Sequence, residues 1–377
     1  MLPFNPVLQR LPVYQPGRPI EEVARELQLD PAGIMKLASN ENPLGPSRLA
    51  VAALRRAVAG VNLYPDGSGF YLKEKLAALL GLTPAHLILG NGSNEVLEMI
   101  GHALLAPGAE VVVSQYCFAV YPIVTALFGA KLVTVPARDY GHDLDAMAAA
   151  ITPATRVIFV ANPNNPTGTA VTPEALRAFV ERVPESVLVA LDEAYIEFLE
   201  NPPDFVADLR QGGKPNVVLM RTFSKIYGLA GLRLGYGIAH PEVIAQFEKI
   251  RQPFNINLLA QAAALAALDD QAHAERTRKN NRQGLKFYAR EFKRMGLEFV
   301  PSAANFVLVR VGNGSAVFQG LQKLGVIVRP MGGYDLPEWI RISIGTAKQN
   351  QRCVESLRQV LAARGTAEHR IAHDSRP

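Results

Sequence analysis

Short apolar runs alternate with amphipathic segments along the middle of the chain, from about residue 85 to about residue 270. The apolar runs are rich in β-branched residues, as at positions 111–113, 131–135 and 188–192, and the segments between them repeat apolar residues at helical spacing. Continuous apolar strands separated by helices are typical of a parallel sheet that is buried on both faces. The pattern therefore predicts an α/β fold with a mostly parallel central sheet covered by helices.

The pattern changes after about residue 270. A long charged helix is predicted over 271–296, and short strands and two further helices follow it, the last ending near residue 363. At 377 residues the chain is longer than one ordinary hydrophobic core requires, so two domains are expected. We predict an N-terminal arm, a large α/β domain, a smaller α+β domain and a disordered tail, over residues 1–30, 31–275, 276–364 and 365–377 respectively.

Composition and charge argue against several classes of function. Apolar residues make up 49% of the chain, and the net charge of +5 comes from Lys and Arg residues that are scattered, which argues against a nucleic-acid-binding surface. Cys117 and Cys353 are far apart and lack metal spacing, so neither a disulfide framework nor a metal site is expected. The chain has no signal-peptide pattern and no apolar run of about 18 residues, so we expect a cytoplasmic protein that does not bind membranes.

One lysine has surroundings that suit covalent chemistry. Lys225 follows the apolar run 217–220, with the hydroxyls of Thr222 and Ser224 beside it and Arg233 eight residues later. A lysine amine forms a Schiff base with a carbonyl when its environment lowers its pKa, and hydroxyl and guanidinium groups bind phosphate. An aldehyde and a phosphate on one small molecule describe pyridoxal 5′-phosphate. A solvated surface lysine is the alternative that this stretch alone leaves open.

Two further polar sites follow predicted strands. Gly92, Ser93 and Asn94 open a helix after the strand at 86–89, and backbone N–H groups at a helix start can bind an anion; the alternative is an ordinary capped helix with Asn94 as its N-cap. Asp192 ends the apolar strand at 188–192. A carboxylate there is costly without a partner, so we expect a ligand to pair with it.

Three motifs, each after a predicted strand, resemble those of the fold-type I aminotransferases: Asn162-Pro-Asn-Asn-Pro-Thr-Gly168, Asp192-Glu-Ala-Tyr195, and Thr222-Phe-Ser-Lys225 with Gly231-Leu-Arg233. The resemblance extends from about residue 30 to about residue 360. Within this superfamily the chain is similar to the histidinol-phosphate aminotransferases, above all at Ser39-Asn-Glu-Asn-Pro43, Tyr64-Pro-Asp-Gly67, Ser302-Ala-Ala-Asn-Phe306 and Arg341-Ile-Ser-Ile-Gly-Thr346. It implies a fold-type I transferase that depends on pyridoxal 5′-phosphate.

The resemblance also implies roles toward the cofactor. Lys225 would hold the cofactor aldehyde and later move a proton from the substrate carbon to the cofactor. Asp192 would keep the pyridine nitrogen protonated, Asn165 and Tyr195 would bind the ring's phenolic oxygen, and Phe118 would stack on the ring. The cofactor phosphate would be bound by a set of small, hydroxyl-bearing and cationic residues: Gly92, Ser93, Asn94, Thr222, Ser224 and Arg233. Tyr64 would reach that phosphate from the other subunit of a homodimer, so the active sites would be shared.

Substrate recognition is inferred from the same resemblance. Arg329 and Arg341 would bind the phosphate of L-histidinol phosphate and, in the second half-reaction, a carboxylate of 2-oxoglutarate, with Tyr14, Asn42 and Tyr64 nearby. Ordinary surface ion pairing is the alternative for the two arginines. Three other functions stay open at this point: transamination of aromatic amino acids, decarboxylation of threonine phosphate by a related lyase, and a non-catalytic cofactor-binding module.

Overall fold

The computed structural model describes residues 2, 4–11, 13 and 17–374. Its strands, in chain order, are β1 Met35–Lys36, β2 Leu87–Gly90, β3 Glu110–Ser114, β4 Lys131–Val135, β5 Thr155–Ala161, β6 Leu188–Asp192, β7 Val217–Thr222, β8 Gly235–Ala239, β9 Phe299–Val300, β10 Phe306–Arg310, β11 Val326–Ile327, β12 Arg329–Pro330 and β13 Trp339–Ser343. The α-helices are α1 Ile20–Leu27, α2 Arg48–Ala57, α3 Phe70–Leu80, α4 Ser93–Leu104, α5 Val120–Leu127, α6 Leu144–Ala149, α7 Pro173–Arg182, α8 Phe205–Arg210, α9 Pro241–Ile250, α10 Leu258–Asp269, α11 Gln271–Arg294, α12 Gly314–Lys323 and α13 Ala347–Asp374.

The central sheet has seven strands in the order β2-β8-β7-β6-β5-β3-β4. Strands β3 to β7 are all parallel to their neighbours in this group, and only β8 runs antiparallel, to β2 and β7. The β-branched residues of β3, β5 and β6 are buried on both faces of the sheet, as their continuous apolar sequence requires. The prediction of a mostly parallel sheet in an α/β fold is confirmed.

Helices cover both faces of this sheet. Helices α2, α3, α6, α7, α8 and α10 pack against one face around the buried side chains of Leu191 and Leu219, and α4, α5 and α9 pack against the other face around Ala190 and Met220. Alternate residues of the same strands therefore belong to different cores. The carboxyl ends of the parallel strands are left at one edge of the layers, where ligands bind in open α/β sheets.

A second sheet has the antiparallel order β12-β13-β10-β9 and packs against α11, α12 and α13. Its core also contains Met35 and Leu37, because β1 pairs with β11. We propose that residues 276–364 form the smaller domain together with this short segment, and that α11 joins it to the large one. No helix within the described residues is long and apolar enough to cross a membrane, and their His, Cys, Asp and Glu side chains form no group of three that could bind a metal ion.

The last helix is longer than the sequence indicates. Helix α13 continues to Asp374, whereas the prediction ended it near residue 363 and made the tail from Gly365 disordered. A single glycine costs a helix only about 1 kcal/mol, and the residues that follow it are compatible with a helix. The pattern of buried positions, on which the prediction depended, says little about such an end.

Candidate active site

A cavity of about 400 Å³ lies at the carboxyl ends of the parallel strands and is closed on one side by the second sheet. Most of the residues that the sequence singles out line this cavity: Ser93, Asn94, Phe118, Asn165, Asp192, Tyr195, Thr222, Ser224, Lys225, Arg233, Arg329 and Arg341. They come from positions that are up to about 250 residues apart in the sequence. The fold thus brings residues that are individually weak indicators of function together in one polar site.

Lys225 follows β7 and points its amine into the cavity. The amine donates a hydrogen bond to the carbonyl oxygen of Ser39 at 3.3 Å, and it lies 5.5 Å above the centre of the Tyr195 ring. Burial and the nearby positive charge of Arg341 lower the pKa of Lys225 to about 8, against the smaller opposing effect of Glu41. About one tenth of this amine is therefore neutral at pH 7 and about half at pH 8, and the neutral amine is the form that acts as a nucleophile.

Asp192 lies at the end of β6 and is only 6% exposed. Its carboxylate accepts hydrogen bonds from the Tyr121 hydroxyl at 2.7 Å and from the backbone N–H of Ala194 at 3.1 Å. Burial nonetheless raises the pKa of Asp192, because these bonds and the distant charge of Lys225 compensate only partly for lost solvation. A cationic group in the cavity would compensate for the rest.

Tyr121 is a residue of this site that the sequence analysis missed. Its ring stacks on Phe159 at 4.6 Å within the core, as expected for an aromatic residue near a strand end. Its hydroxyl reaches past that core to Asp192, and burial with the Asp192 charge raises its pKa well above the usual value, so it stays a hydrogen-bond donor. The available signal was that a buried tyrosine hydroxyl needs a partner.

The opposite end of the cavity suits an anion. Gly92, with φ of 74°, is the N-cap residue of α4, and no side chain caps this helix. Asn94 lies inside the first turn, so the alternative that made it the N-cap is wrong. A Cβ at Gly92 would lie 2.5 Å from a guanidinium nitrogen of Arg233, which shows how closely that cation approaches the helix end. Helix N–H groups and an arginine together make an anion site.

A network of amides holds the side of the cavity near Tyr195. Asn40, which the sequence analysis did not single out, donates a hydrogen bond from its side-chain amide to the Tyr195 hydroxyl at 2.9 Å. Asn305 in turn donates to the Asn40 carbonyl at 2.9 Å, so the loop at Asn40 is tied to the second sheet. Asn40 belongs to the motif Ser39-Asn-Glu-Asn-Pro43, and its positive φ of 56° is one that asparagine adopts more readily than most residues.

Two arginines face the cavity from the second sheet. Arg329 on β12 and Arg341 on β13 are direct cross-strand partners. Arg341 is buried, and its guanidinium donates hydrogen bonds to the Asn165 side-chain oxygen and, at 2.9 Å, to the carbonyl oxygen of Ala38. These contacts fix the plane of the guanidinium, as bidentate recognition of a carboxylate or phosphate requires.

Among the described residues, three of the predicted set do not line the cavity: Gly92, which is the N-cap residue of α4, Asn42 and Tyr64. Asn42 is buried elsewhere, where its amide donates to the carbonyl oxygen of Ile226 at 3.0 Å and to the Thr277 hydroxyl at 3.2 Å. Tyr64 is 84% exposed and stacks on Phe254 with 4.7 Å between ring centres. Tyr14 lies outside the described residues.

The arrangement fits pyridoxal phosphate at both ends. The helix start and Arg233 suit its phosphate, the buried Asp192 suits a protonated pyridine nitrogen, and the amine of Lys225 lies between them within reach of the same cavity. The half-buried ring of Phe118 lines the wall beside Asp192. A planar cation with an aldehyde and a phosphate would satisfy each of these groups.

The chain is similar to known proteins over nearly its whole length. Residues 32–357 match the family model "Aminotransferase class I and II". The histidinol-phosphate aminotransferase of Akkermansia muciniphila is 55% identical, over 95% of this chain and 98% of that protein, and the histidinol-phosphate aminotransferase 2 of Ralstonia nicotianae is 53% identical, over 96% and 98%. The crystal structure of the Sinorhizobium meliloti histidinol-phosphate aminotransferase in complex with pyridoxal-5′-phosphate superposes with a TM-score of 0.87 at 32% identity, over 96% of this chain and 98% of that one.

Proposed function

The chain belongs to the class I and II aminotransferases, enzymes that use pyridoxal phosphate, and from that premise we propose that it transfers the amino group of L-histidinol phosphate to 2-oxoglutarate. The products are imidazole-acetol phosphate and L-glutamate, in histidine biosynthesis, and the proposed location is the cytoplasm. The observation that supports this function most strongly is the cross-strand pair of the half-buried Arg329 and the buried Arg341, which offers one anion site in the cavity that also contains Lys225. Sequence identity above 50% to two enzymes named for this activity supports it independently.

We propose that three residues do the central chemistry. Bound pyridoxal phosphate supplies an electron sink for the carbanion at the substrate carbon. Asp192 holds a proton on the pyridine nitrogen by pairing with it, and the Tyr121 hydroxyl keeps that carboxylate oriented. The amine of Lys225, whose lowered pKa increases its neutral fraction, would take the proton from the carbon that bears the substrate amine and would deliver it to the cofactor carbon that carried the aldehyde. Tyr195 and Asn165 orient the ring from the side.

We propose that the phosphate of histidinol phosphate and the carboxylate of 2-oxoglutarate occupy the same place beside Arg329 and Arg341. Both ligands present a planar or trigonal set of oxygen atoms to a guanidinium that is already fixed by Ala38 and Asn165. A single site for both anions explains how one cavity can serve two half-reactions with dissimilar substrates.

Arg341→Lys is expected to lower kcat/KM for histidinol phosphate and for 2-oxoglutarate alike, by about 10²- to 10³-fold, because lysine keeps the charge but loses the two-point geometry. Steady-state kinetics with each substrate varied in turn would measure this. Arg310→Lys is the matched control, since Arg310 lies on the neighbouring strand β10 and its ion pairs with Glu298 and Glu338 are exposed. A loss for only one of the two substrates would contradict the shared anion site.

We propose that the protein is a homodimer with shared active sites. The loop between α2 and α3 and the adjoining helices expose several large apolar side chains: Val58, Val61, Leu63, Tyr64, Phe70 and Tyr71. The exposed ring of Phe254, from the loop between α9 and α10, stacks on Tyr64 and extends this surface. Monomers rarely expose so much apolar surface in one place, so a second copy of the chain is the expected cover. Tyr64, which does not reach the cavity of its own chain, would then contact the phosphate in the partner's site.

Mixing two defective variants tests the sharing of sites. We expect unfolded and co-refolded Lys225→Ala and Tyr64→Ala chains to recover about one quarter of wild-type activity, because half of the dimers are mixed and one site of each is intact. The assay is run at a cofactor concentration that leaves the Tyr64→Ala homodimer largely empty. The control mixes Lys225→Ala with Asp192→Asn, whose lesions lie in one chain's own site, and should recover nothing. Equal recovery from both mixtures, or from neither, would exclude the proposed geometry.

A single-turnover substrate panel tests the reaction itself. Without an amino acceptor, one equivalent of histidinol phosphate per bound cofactor is expected to remove the visible absorption band of the cofactor. No CO2 should be released. Phenylalanine and tyrosine should do so with lower kcat/KM, which separates this function from that of an aromatic aminotransferase. CO2 release from threonine phosphate would support the lyase, and no spectral change with any amine would support a binding module.

A further inference from the structure

A cluster of buried charges lies behind the catalytic strand ends, on the face of the sheet opposite to the cavity. Strands β6 and β7 pair Asp192 with Met220, so the next residue of each, Glu193 and Arg221, are also neighbours. Their side chains form an ion pair with 2.7 Å between Arg221 Nε and Glu193 Oε2, and they are 16% and 2% exposed. This pair ties the residue after Asp192 to the strand that leads to Lys225.

A second carboxylate lies beside this pair. Oε2 of Glu197 is shielded from solvent and has no hydrogen-bond partner among the described residues, and the same is true of Oε1 of Glu193. Burial raises the pKa of Glu197 to about 7 and raises that of Glu193, although the charge of Arg221 acts in the opposite direction on both. The proposed reaction makes no use of either residue.

The groups that face Glu197 do not neutralise a second negative charge. They come from β6 and the turn after it, from β7, from the turn that follows β7, from β8 and from α11: Glu193, Arg221, Tyr227, Tyr236 and Arg278. The guanidinium of Arg278 donates to the backbone carbonyl oxygen of Glu197 at 2.9 Å and to Glu275 at 3.0 Å. Burial raises the pKa of both tyrosines, that of Tyr236 to about 12, so they stay neutral. Of the described cations that act on Glu197, Arg221 is the less exposed, with 16% of its side chain exposed against 31% for Arg278.

We propose that Glu197 is a positioning residue under the control of its own proton. When Glu197 is protonated, the ion pair between Arg221 and Glu193 is undisturbed and holds the ends of β6 and β7 together. When Glu197 is ionised, its carboxylate competes with Glu193 for Arg221 and weakens this connection. The structural link is short: the backbone N–H of Glu193 donates to the carbonyl oxygen of Met220 at 2.8 Å, and Arg221 precedes Lys225 by four residues. The effect on the cofactor rests on the proposed roles of Asp192 and Lys225.

The Glu197→Gln variant isolates the proton, because glutamine mimics the protonated form at every pH. At about pH 5.5 the wild-type Glu197 is protonated and resembles the glutamine, so we expect both proteins to bind pyridoxal phosphate equally. At about pH 8.5 we expect the wild type to bind it about three- to tenfold more weakly than the variant. The ratio of the two dissociation constants at each pH cancels every titration that the proteins share. A ratio that stays constant with pH would overturn the proposal.

Two controls and one direct observation complete the test. Glu185→Gln, at an exposed position before β6, should follow the wild type throughout. Glu193→Gln should abolish the pH step, because Arg221 then pairs with Glu197 and keeps it ionised. Infrared spectra of the cofactor-free protein should show a protonated-carboxyl band that disappears with rising pH near neutrality and is missing in Glu197→Gln; its presence in the variant would also overturn the proposal. None of these readouts requires histidinol phosphate, so failure of the substrate assignment would leave them unchanged.

Discussion

Replacing Lys225 by alanine is expected to lower kcat by at least about 10⁴-fold, because the variant loses the amine that moves the substrate proton. The protein should still fold and bind pyridoxal phosphate through the helix start and Arg233, but without a covalent bond. Stopped-flow turnover and the absorption spectrum of the reconstituted variant measure the two effects separately. In the wild type, the rate of covalent capture should rise with pH through about 8, since only the neutral amine reacts and burial lowers the pKa of Lys225 to about 8.

Lys249→Ala is the matched control for this experiment, since Lys249 is exposed on α9 and lies outside the cavity. It should leave both turnover and the spectrum at wild-type values. Turnover of Lys225→Ala within about tenfold of the wild type would mean that another group moves the proton, which is incompatible with general-base catalysis by this amine.

Asp192→Asn is expected to lower kcat by about 10²- to 10³-fold with little effect on folding, because asparagine keeps the shape but cannot hold a proton on the pyridine nitrogen. The Tyr121 hydroxyl can still donate to the new amide oxygen, which preserves that contact, whereas the amide nitrogen takes the place of the oxygen that accepts from the backbone N–H of Ala194. Loss of the negative charge also removes an influence that raises the pKa of Lys225, which should move further below its usual value. Steady-state kinetics and a pH titration of cofactor capture measure these effects.

The stability of Asp192→Asn separates a catalytic carboxylate from a structural one. Burial raises the pKa of Asp192, so the charged form is unfavourable in the empty protein and its removal should leave the midpoint of thermal unfolding equal or higher. The stabilising effect of the wild-type carboxylate should be seen only when the cofactor is bound. A variant that unfolds readily but retains full kcat would contradict the assigned role.

The sequence was informative where function depends on local pattern. The apolar strands and the polar residues at their ends predict both the parallel sheet and the edge at which its ligand binds, because parallel strands place their carboxyl ends together. Lys225 and Asp192 were found in this way, Asp192 as the last residue of an apolar strand and Lys225 shortly after the end of another. The resemblance of three motifs added the identity of the cofactor.

The sequence did not show in which direction a side chain points or which distant residue it contacts. Asn40 and Asn42 are two residues apart in one loop, and the sequence analysis selected Asn42 for the substrate, whereas the structure turns Asn40 to the cavity and Asn42 toward α11. No local rule distinguishes these two asparagines. Nothing in the sequence distinguished Tyr121 from aromatic residues of the core, because its partner Asp192 is 71 residues away. The Glu193–Glu197–Arg221 cluster became visible only when the ends of β6 and β7 were brought together.

The covalent site is the most direct test of the account. Reduction of the reconstituted protein with borohydride fixes the cofactor to the amine that holds it, and peptide mass spectrometry then locates the label. We predict one pyridoxyl group per chain, on Lys225 in the peptide that contains Thr222 and Ser224. A label on another lysine, or a reduced protein with no label, would contradict it.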